Sequence, residues 1–324
     1  MELDLSNIEK NHSKHYGGRN GRKMCIILDG VEYMVKFPDR AKRNPNMSYT
    51  HDNFSEHIGC RIFQSLGIDT QDTLLIRDTH TGKVVVACKD LEQDGFVLKE
   101  FAFMKNAIIE SETGGYDTEL DEVLNAIDTQ QILDRDKLTA YFWDMFVADA
   151  LIGNTDRHNG NWSYLKNIVT GEVKLCPVYD CGSSLYSRIE EAGMDDVLGD
   201  KLKIEERIYA FPYSQIKQNH KHIRYAQFLA TTDNEDCLSA LSKISKHIDM
   251  QKINEIVDET PYMTDMHKIF LKTMLAERKE RIIDNALANN PNIVKMSDYL
   301  YSVNYDVPDC TGTDREEYDI QYEG

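Results

Sequence analysis

The sequence predicts an α+β fold of two lobes, a small antiparallel β-rich lobe over residues 1–95 and a larger helical lobe over 96–296. Two strand–turn–strand patterns near the start predict the sheet, and apolar residues at helical spacing dominate later in the chain. A length of 324 residues is enough for two compact units. Residues 297–324 carry eight acids and five tyrosines, which predicts an acidic tail beyond the second lobe.

The β-rich lobe is predicted from turn chemistry and spacing. Asp29-Gly30 separates two β-rich runs and is typical of a tight hairpin turn. Gly67 follows a segment of helical periodicity and predicts its end. The elements predicted here are a hairpin over 24–28 and 31–37, a helix over 53–66, a hairpin over 73–77 and 83–88, and a short strand over 96–98.

The second lobe begins with an acidic segment and continues with a strongly apolar helix. Residues 110–136 hold nine acids and one arginine, which predicts either an exposed insertion or the acidic face of a helix. Residues 137–152 form the helix, and its aromatic side chains are expected in the core. The further predicted elements are a hairpin over 168–169 and 173–175, and helices over 214–230, 234–248, 250–258 and 264–289.

Composition excludes several classes of protein. The net charge of −18 argues against a general nucleic-acid binder, which needs a basic surface. Residues 10–23 are the exception, with five basic residues and no acid, and they are either a solvated turn or ligands for phosphate. No apolar run is long enough to span a membrane, and the first residues do not resemble a secretory leader. We therefore expect a cytoplasmic monomer with reduced cysteines.

One constellation of polar residues carries chemistry. Asp156 and Asn161 lie in a polar loop that follows the apolar helix, and Asp180 follows the next hairpin. Phosphoryl transfer needs a carboxylate for the attacking hydroxyl, a carboxylate and an amide for Mg²⁺, and a lysine for the phosphates. Lys36 lies in an apolar strand and needs an acidic partner, because an unpaired buried lysine is costly. Glu56, on the helix of the same lobe, is the expected partner.

The pattern Asp156-x-His158-x-x-Asn161, followed by Pro177-x-Tyr179-Asp180, resembles the two functional loops of the HipA-like serine/threonine kinases. The resemblance covers residues 15–290 and is strongest to the short members that are translocated into host cells. It implies a two-lobed protein-kinase-like fold, ATP and Mg²⁺ as cofactors, autophosphorylation, and a protein hydroxyl as acceptor. One departure is Cys181, which stands where protein kinases have phenylalanine.

The resemblance, together with the chemistry of phosphoryl transfer, assigns a role to each candidate residue. Asp156 is the expected catalytic base, Asn161 and Asp180 are the metal ligands, and Lys36, oriented by Glu56, binds the α- and β-phosphates. The other expected nucleotide contacts are the backbone near Ala87 and Lys89 for adenine, His158 and Tyr179 beside the nucleotide, and a phosphate loop with Gly18, Arg19, Gly21 and Lys23.

Three other functions remain open. The run from Asp156 to Asn161 also resembles the loop of phosphoinositide kinases, although the chain has no basic amphipathic helix for a membrane surface. A catalytically silent nucleotide-binding scaffold would retain the fold without turnover. An acidic interaction protein would not be stabilised by nucleotide at all.

Overall fold

Five strands form the first sheet, in the spatial order β1–β4–β5–β3–β2. The computed structural model describes residues 1–17, 22–41, 49–109 and 112–293. The strands are β1 (Glu2–Leu3), β2 (Lys23–Leu28), β3 (Val31–Lys36), β4 (Thr73–Asp78) and β5 (Val84–Lys89). Neighbouring strands are antiparallel except for β1 and β4, which are parallel. Both hairpins predicted from the sequence are therefore present.

The β2–β3 hairpin has the tight turn that its sequence predicts. Asp29 and Gly30 both have positive φ, 50° and 78°, as a two-residue turn of this type requires. The turn fixes the register, so that Lys23 and Lys36 lie opposite each other at the open end of the hairpin. The register thus brings two lysines side by side on the sheet.

Helix α1 (Asp52–Ser65) packs against the first sheet and carries the predicted apolar face. Ile58, Ile62 and Phe63 are fully buried, and burial of each such side chain contributes about 1.5–3 kcal/mol. The helix ends as expected, because Gly67 follows it with a φ of +79° that most residues avoid.

The second part of the chain combines a small antiparallel sheet, in the order β6–β7–β8, with many helices. A π-helical turn, Lys279–Asp284, joins α10 to α11. The elements are β6 (Phe96–Glu100), α2 (Phe101–Ile108), α3 (Leu120–Thr129), α4 (Arg135–Ile152), β7 (Ser163–Asn167), β8 (Val173–Leu175), α5 (Glu191–Leu198), α6 (Lys201–Tyr209), β9 (Lys217–Gln218), β10 (Lys221–His222), α7 (Tyr225–Thr231), α8 (Glu235–Ser245), α9 (Met250–Glu259), α10 (Asp265–Arg278) and α11 (Asn285–Asn289).

Helix α4 is the central helix of this larger part. Its N-cap, Asp134, accepts the backbone N–H of Lys137 at 2.9 Å, so the helix starts two residues before the predicted position. Phe142, Trp143 and Phe146 are buried, as their spacing predicts. Gly153, with φ 65°, ends the helix in the left-handed conformation. The polar loop that follows is therefore attached to the most buried helix of the lobe.

Part of the acidic segment forms a helix with an acidic face, α3, whereas residues 112–119 and 130–134 are turns and irregular backbone. Leu120, Val123 and Ile127 of α3 point into the core, whereas Asp121 and Asp128 are exposed. Residues 110 and 111 and the predicted acidic tail from residue 297 lie outside the described residues. Within the described ranges, no helix is both long and apolar enough to cross a membrane.

Two sequence predictions are wrong in detail. The helix predicted over 214–230 starts only at Tyr225, because Asn219 and His220 adopt positive φ and form the turn between β9 and β10. The strand predicted at 168–169 is instead an exposed turn, since the Asn167 side chain accepts the N–H groups of both Val169 and Thr170. Helices α5 and α6 were not predicted from the sequence.

Candidate active site

A cleft of about 1750 Å³ lies between the first sheet with α1 and the helical lobe. It is large compared with ordinary small-molecule sites, which hold about 300–1,000 Å³. Residues from both lobes line it, and they include the five candidates for chemistry: Lys36, Glu56, Asp156, Asn161 and Asp180. Residues separated by up to 144 positions in the sequence therefore meet in one place.

Lys36 lies between two carboxylates. Its Nζ is 3.1 Å from Glu56 Oε1 and 3.0 Å from Asp180 Oδ1. Glu56 is 1% exposed, so its charge needs this partner, and the pairing predicted from the sequence is present. Of the three donors of the ammonium group, one is hydrogen-bonded to Asp180, and the contact with Glu56 is an ion pair.

Their mutual attraction keeps Lys36 and Asp180 ionised. Burial on its own would lower the pKa of Lys36, but the charges of Asp180 and Glu56 outweigh it and raise the pKa well above its usual value. Burial also opposes ionisation of Asp180, yet the adjacent Lys36, with Arg157 further away, lowers the pKa of that carboxyl. Both groups are therefore charged at neutral pH.

The 177–182 segment holds Asp180 in an uncommon backbone conformation, with φ 58°. Glu56 Oε1 accepts the backbone N–H of Asp180 at 3.1 Å, which secures this conformation from α1. A β-carbon placed on Gly59 of α1 would lie only 2.7 Å from Cys181 Cβ. Because α1 approaches this closely, position 181 accommodates a small cysteine and leaves no room for the phenylalanine that protein kinases have there.

The 153–161 loop is closed by its own asparagines. Asn154 Oδ1 accepts the backbone N–H of Asp156 at 3.0 Å, and Asn161 Nδ2 donates to the Asp156 carbonyl at 2.8 Å. These bonds hold the Asp156 side chain at the cleft wall. Burial raises the pKa of Asp156, while the neighbouring His158 and Arg188 partly oppose the shift.

Arg157 joins the two loops and was not identified from the sequence. Its Nε donates to Asp149 Oδ2 at 2.9 Å, and its NH1 donates to the carbonyls of Asn161, at 2.8 Å, and Tyr179. Arg157 and Asp149 are almost completely buried. A sequence signal existed, because Asp149 interrupts the apolar run of α4 and a buried carboxylate requires a cation.

The oxygens that could hold a metal ion are available. Lys36 occupies Asp180 Oδ1, whereas no described residue donates a hydrogen bond to Asp180 Oδ2 or Asn161 Oδ1. The Asp180 side chain is 40% exposed and lines the cleft. A carboxylate and an amide oxygen suit Mg²⁺, which usually binds one or two protein carboxylates together with phosphates and water. The described residues contain no cluster of three or more His, Cys, Asp or Glu arranged for a metal ion.

The other candidate nucleotide contacts are distributed unevenly. Lys23 and His158 line the cleft. Tyr179 turns away from it, and its hydroxyl bonds to Ser163 and to the Gly160 carbonyl. Gly18, Arg19 and Gly21 lie outside the described residues.

The predicted adenine contacts lie in β5. Ala87 pairs with strands on both sides, and the backbone of Lys89 already bonds to Asp72 and to the Gln71 side chain. Val86 is the residue of β5 that lines the cleft. The structure therefore does not bring Ala87 and Lys89 to the cleft wall with the other candidates.

The fold and the charged cleft define the class of the molecule. A β-rich lobe supplies a lysine–glutamate pair, a helical lobe supplies an aspartate–asparagine loop, and the remaining aspartate contacts the lysine. This arrangement is that of a protein-kinase-like phosphotransferase.

Comparison with known proteins gives the family. Residues 21–263 match the HipA-like C-terminal domain. The serine/threonine-protein kinase CtkA of Helicobacter pylori is 46% identical over 285 residues, which cover 88% of this chain and 87% of CtkA. The crystal structure of this proinflammatory kinase gives a TM-score of 0.83 at 44% identity, covering 90% of this chain and 98% of that chain. The chain therefore belongs to the HipA-like kinase family, and its activity is that of a serine/threonine protein kinase.

A more distant structure shares the fold alone. HipA of Shewanella oneidensis, solved with HipB and operator DNA, gives a TM-score of 0.54 at 15% identity, covering 85% of this chain and 68% of that chain. At 15% identity this match shows a shared fold.

Proposed function

We propose that the protein transfers the γ-phosphoryl group of ATP to a serine or threonine hydroxyl of a protein, that it requires Mg²⁺, and that it phosphorylates itself. The observation that carries the proposal is the position of Lys36, which contacts Glu56 and Asp180 in the cleft that Asp156 also lines. This set of groups meets the requirements of phosphoryl transfer, which depends on positioning and charge stabilisation.

In this proposal each residue acts at a stated atom. Lys36 Nζ keeps donors beyond the one bonded to Asp180 for the α- and β-phosphates, and the ion pair with Glu56 fixes its direction. Asn161 Oδ1 and Asp180 would hold Mg²⁺, which neutralises charge on the β- and γ-phosphates when bound. Asp156 accepts the proton of the attacking hydroxyl, and the burial that raises its pKa makes it a better base. Arg157 positions both loops.

Mass spectrometry of the protein after incubation with ATP and Mg²⁺ tests the proposal. We expect mass increases of one or more phosphates on serine or threonine, abolished by EDTA and by Lys36→Met. Lys166→Met is the matched control, because Lys166 is an exposed lysine of β7 outside the cleft. No phosphate on the protein would contradict self-phosphorylation. Preferential labelling of phosphoinositide vesicles over protein would favour a lipid kinase.

The two aspartates should respond differently to acid. The pKa of Asp156 is raised above its ordinary 3.8, so its basic form is lost at a higher pH than for an exposed aspartate. The pKa of Asp180 is lowered, so it stays ionised below that pH. On acidification, phosphoryl transfer should therefore fall before Mg·ATP binding does. Parallel rate and calorimetric titrations check this, and a common midpoint for both would contradict the assignment of the base.

A further inference from the structure

Two arginines that come after the 177–182 segment in the sequence line the cleft. Arg188 follows the 177–182 segment, and Arg207 lies near the end of α6. Arg188 is exposed and Arg207 is half-buried. Neither takes part in the pairing around Lys36, and neither has a role in the chemistry proposed above.

The backbone holds both arginines firmly. Ser187, next to Arg188, accepts the N–H of His51 at 2.7 Å, and Leu185 donates to the Ile152 carbonyl at 2.9 Å. The buried Tyr186 donates its hydroxyl to the backbone carbonyl of Arg207 at 3.1 Å. Tyr186 thus links the backbone that leads to Arg188 with the backbone of Arg207, and Leu185 attaches this segment to the end of the central helix α4.

Two lysines of the cleft wall are paired with acids, whereas Arg188 and Arg207 have no acidic partner among the described residues. Lys203 binds Asp196 at 2.5 Å, and Lys217 lies 3.7 Å from Asp117. Across the part of the chain that the structure describes, no carboxylate lies within 4.0 Å of the guanidinium of Arg188 or Arg207. Arg207 Nε is moreover buried and lacks a hydrogen-bond partner among those residues. A buried donor without a partner costs about 1–3 kcal/mol, so within those residues nothing compensates the charge of Arg207.

The arginines line the same cleft as Asp156. The charge of Arg188 is near enough to stabilise the ionised form of Asp156. A hydroxyl positioned at Asp156 would therefore bring the neighbouring residues of its own chain to these arginines, since consecutive Cα atoms are only about 3.8 Å apart.

We propose that Arg188 and Arg207 bind an anionic residue of the protein substrate, a carboxylate or a phosphorylated side chain, within a few residues of the acceptor serine or threonine. The planar guanidinium group matches both anions with paired hydrogen bonds. The net charge of −18 would otherwise repel an acidic peptide, so local cations are needed to admit one. This inference rests on the proposed function, because it assumes that Asp156 receives the acceptor hydroxyl.

Peptide kinetics test the inference. The reference substrate is a neutral serine peptide with glutamine at the positions around the acceptor. In the other peptides a single glutamate, phosphoserine or lysine replaces glutamine at one position from −3 to +3. We expect glutamate or phosphoserine at one or two positions to raise kcat/KM by about tenfold over glutamine, the size of a charge-assisted hydrogen bond. Comparing the rise in kcat/KM with glutamate and with phosphoserine shows whether the arginines bind a carboxylate or a phosphate.

The arginine variants then locate the effect. In Arg188→Gln, and more fully in Arg188→Gln with Arg207→Gln, the ratio of kcat/KM between the glutamate and glutamine peptides should fall towards one. In Arg188→Glu the preference should shift to the lysine peptide. Arg135→Gln, at an exposed arginine of α4 outside the cleft, is the control and should keep the wild-type ratio. Arg188→Gln changes an exposed side chain, so it tests the idea even if the double variant is unstable.

Three results would overturn the inference. One is a wild-type enzyme that phosphorylates the neutral and acidic peptides equally well, which would leave the proposed function intact. Another is a ratio that does not change in the arginine variants. The third is an equal rise in KM for ATP with every peptide, which would place the arginines on the nucleotide. Failure to phosphorylate any peptide or the protein itself would instead contradict the proposed function, and this inference with it.

Discussion

Asp156→Asn should reduce phosphoryl transfer by about 10²-fold or more, the contribution typical of a general base, while Mg·ATP binding stays close to that of the unchanged enzyme. The asparagine keeps the volume of the side chain, and the backbone bonds of residue 156 to Asn154 and Asn161 do not depend on its carboxylate. The loop should therefore keep its conformation. Turnover with saturating ATP and calorimetric binding of Mg·ATP are the two measurements.

Asp128→Asn is the matched control, because Asp128 is exposed on α3 and forms a surface ion pair with Arg135. It should leave both measurements unchanged. Near-normal transfer in Asp156→Asn would contradict the assignment of the base. Loss of nucleotide binding would show that Asp156 acts on the nucleotide or its metal instead.

Asp180→Asn should differ from Asp156→Asn in nucleotide binding. We expect a large loss of Mg²⁺-dependent ATP binding together with the loss of turnover. The substitution removes a charged oxygen that Mg²⁺ prefers, and of the two acidic partners of Lys36 that the described residues supply it leaves Glu56. We expect a loss of affinity of about tenfold or more, since one hydrogen bond or ligand involving a charge contributes about 1.5–3 kcal/mol. The measurement is ATP affinity at increasing Mg²⁺.

The comparison with ATP alone separates the metal effect from a general effect on the cleft. Binding of ATP without Mg²⁺ should change much less in Asp180→Asn than binding of Mg·ATP. Wild-type affinity for Mg·ATP would contradict the metal assignment and would favour a nucleotide-binding scaffold without turnover.

Local rules were sufficient for the parts of the fold with strong local signals. Asp29-Gly30 specified the first hairpin, and the apolar spacing of α4 specified the central helix. The same reasoning predicted one tertiary contact, because a lysine in an apolar strand needs an acid and Glu56 was the nearest helical candidate. The grouping of Asp156, Asn161 and Asp180 followed from the chemistry that such residues share.

Features that depend on distant contacts could not be predicted in this way. Asp149 in the apolar run of α4 signals a buried cation, but the packing of α4 decides that Arg157, which appears exposed in a loop, supplies it. The β9–β10 turn depends on positive φ at Asn219 and His220, residues that helical spacing does not exclude. The assignments at Ala87 and Lys89 came from resemblance, and the pairing of β5 on both edges decides which backbone groups remain available.

The double role of Glu56 has a consequence for the control of this enzyme. Many protein kinases are switched off when the helix carrying this glutamate moves away from the lysine. Here the same helix also accepts the N–H of Asp180 through Glu56 and packs Gly59 against Cys181. Outward movement of α1 would therefore dismantle the 177–182 segment as well. We therefore expect the Lys36–Glu56 pair and the 177–182 segment to be lost together and not one at a time when α1 is displaced.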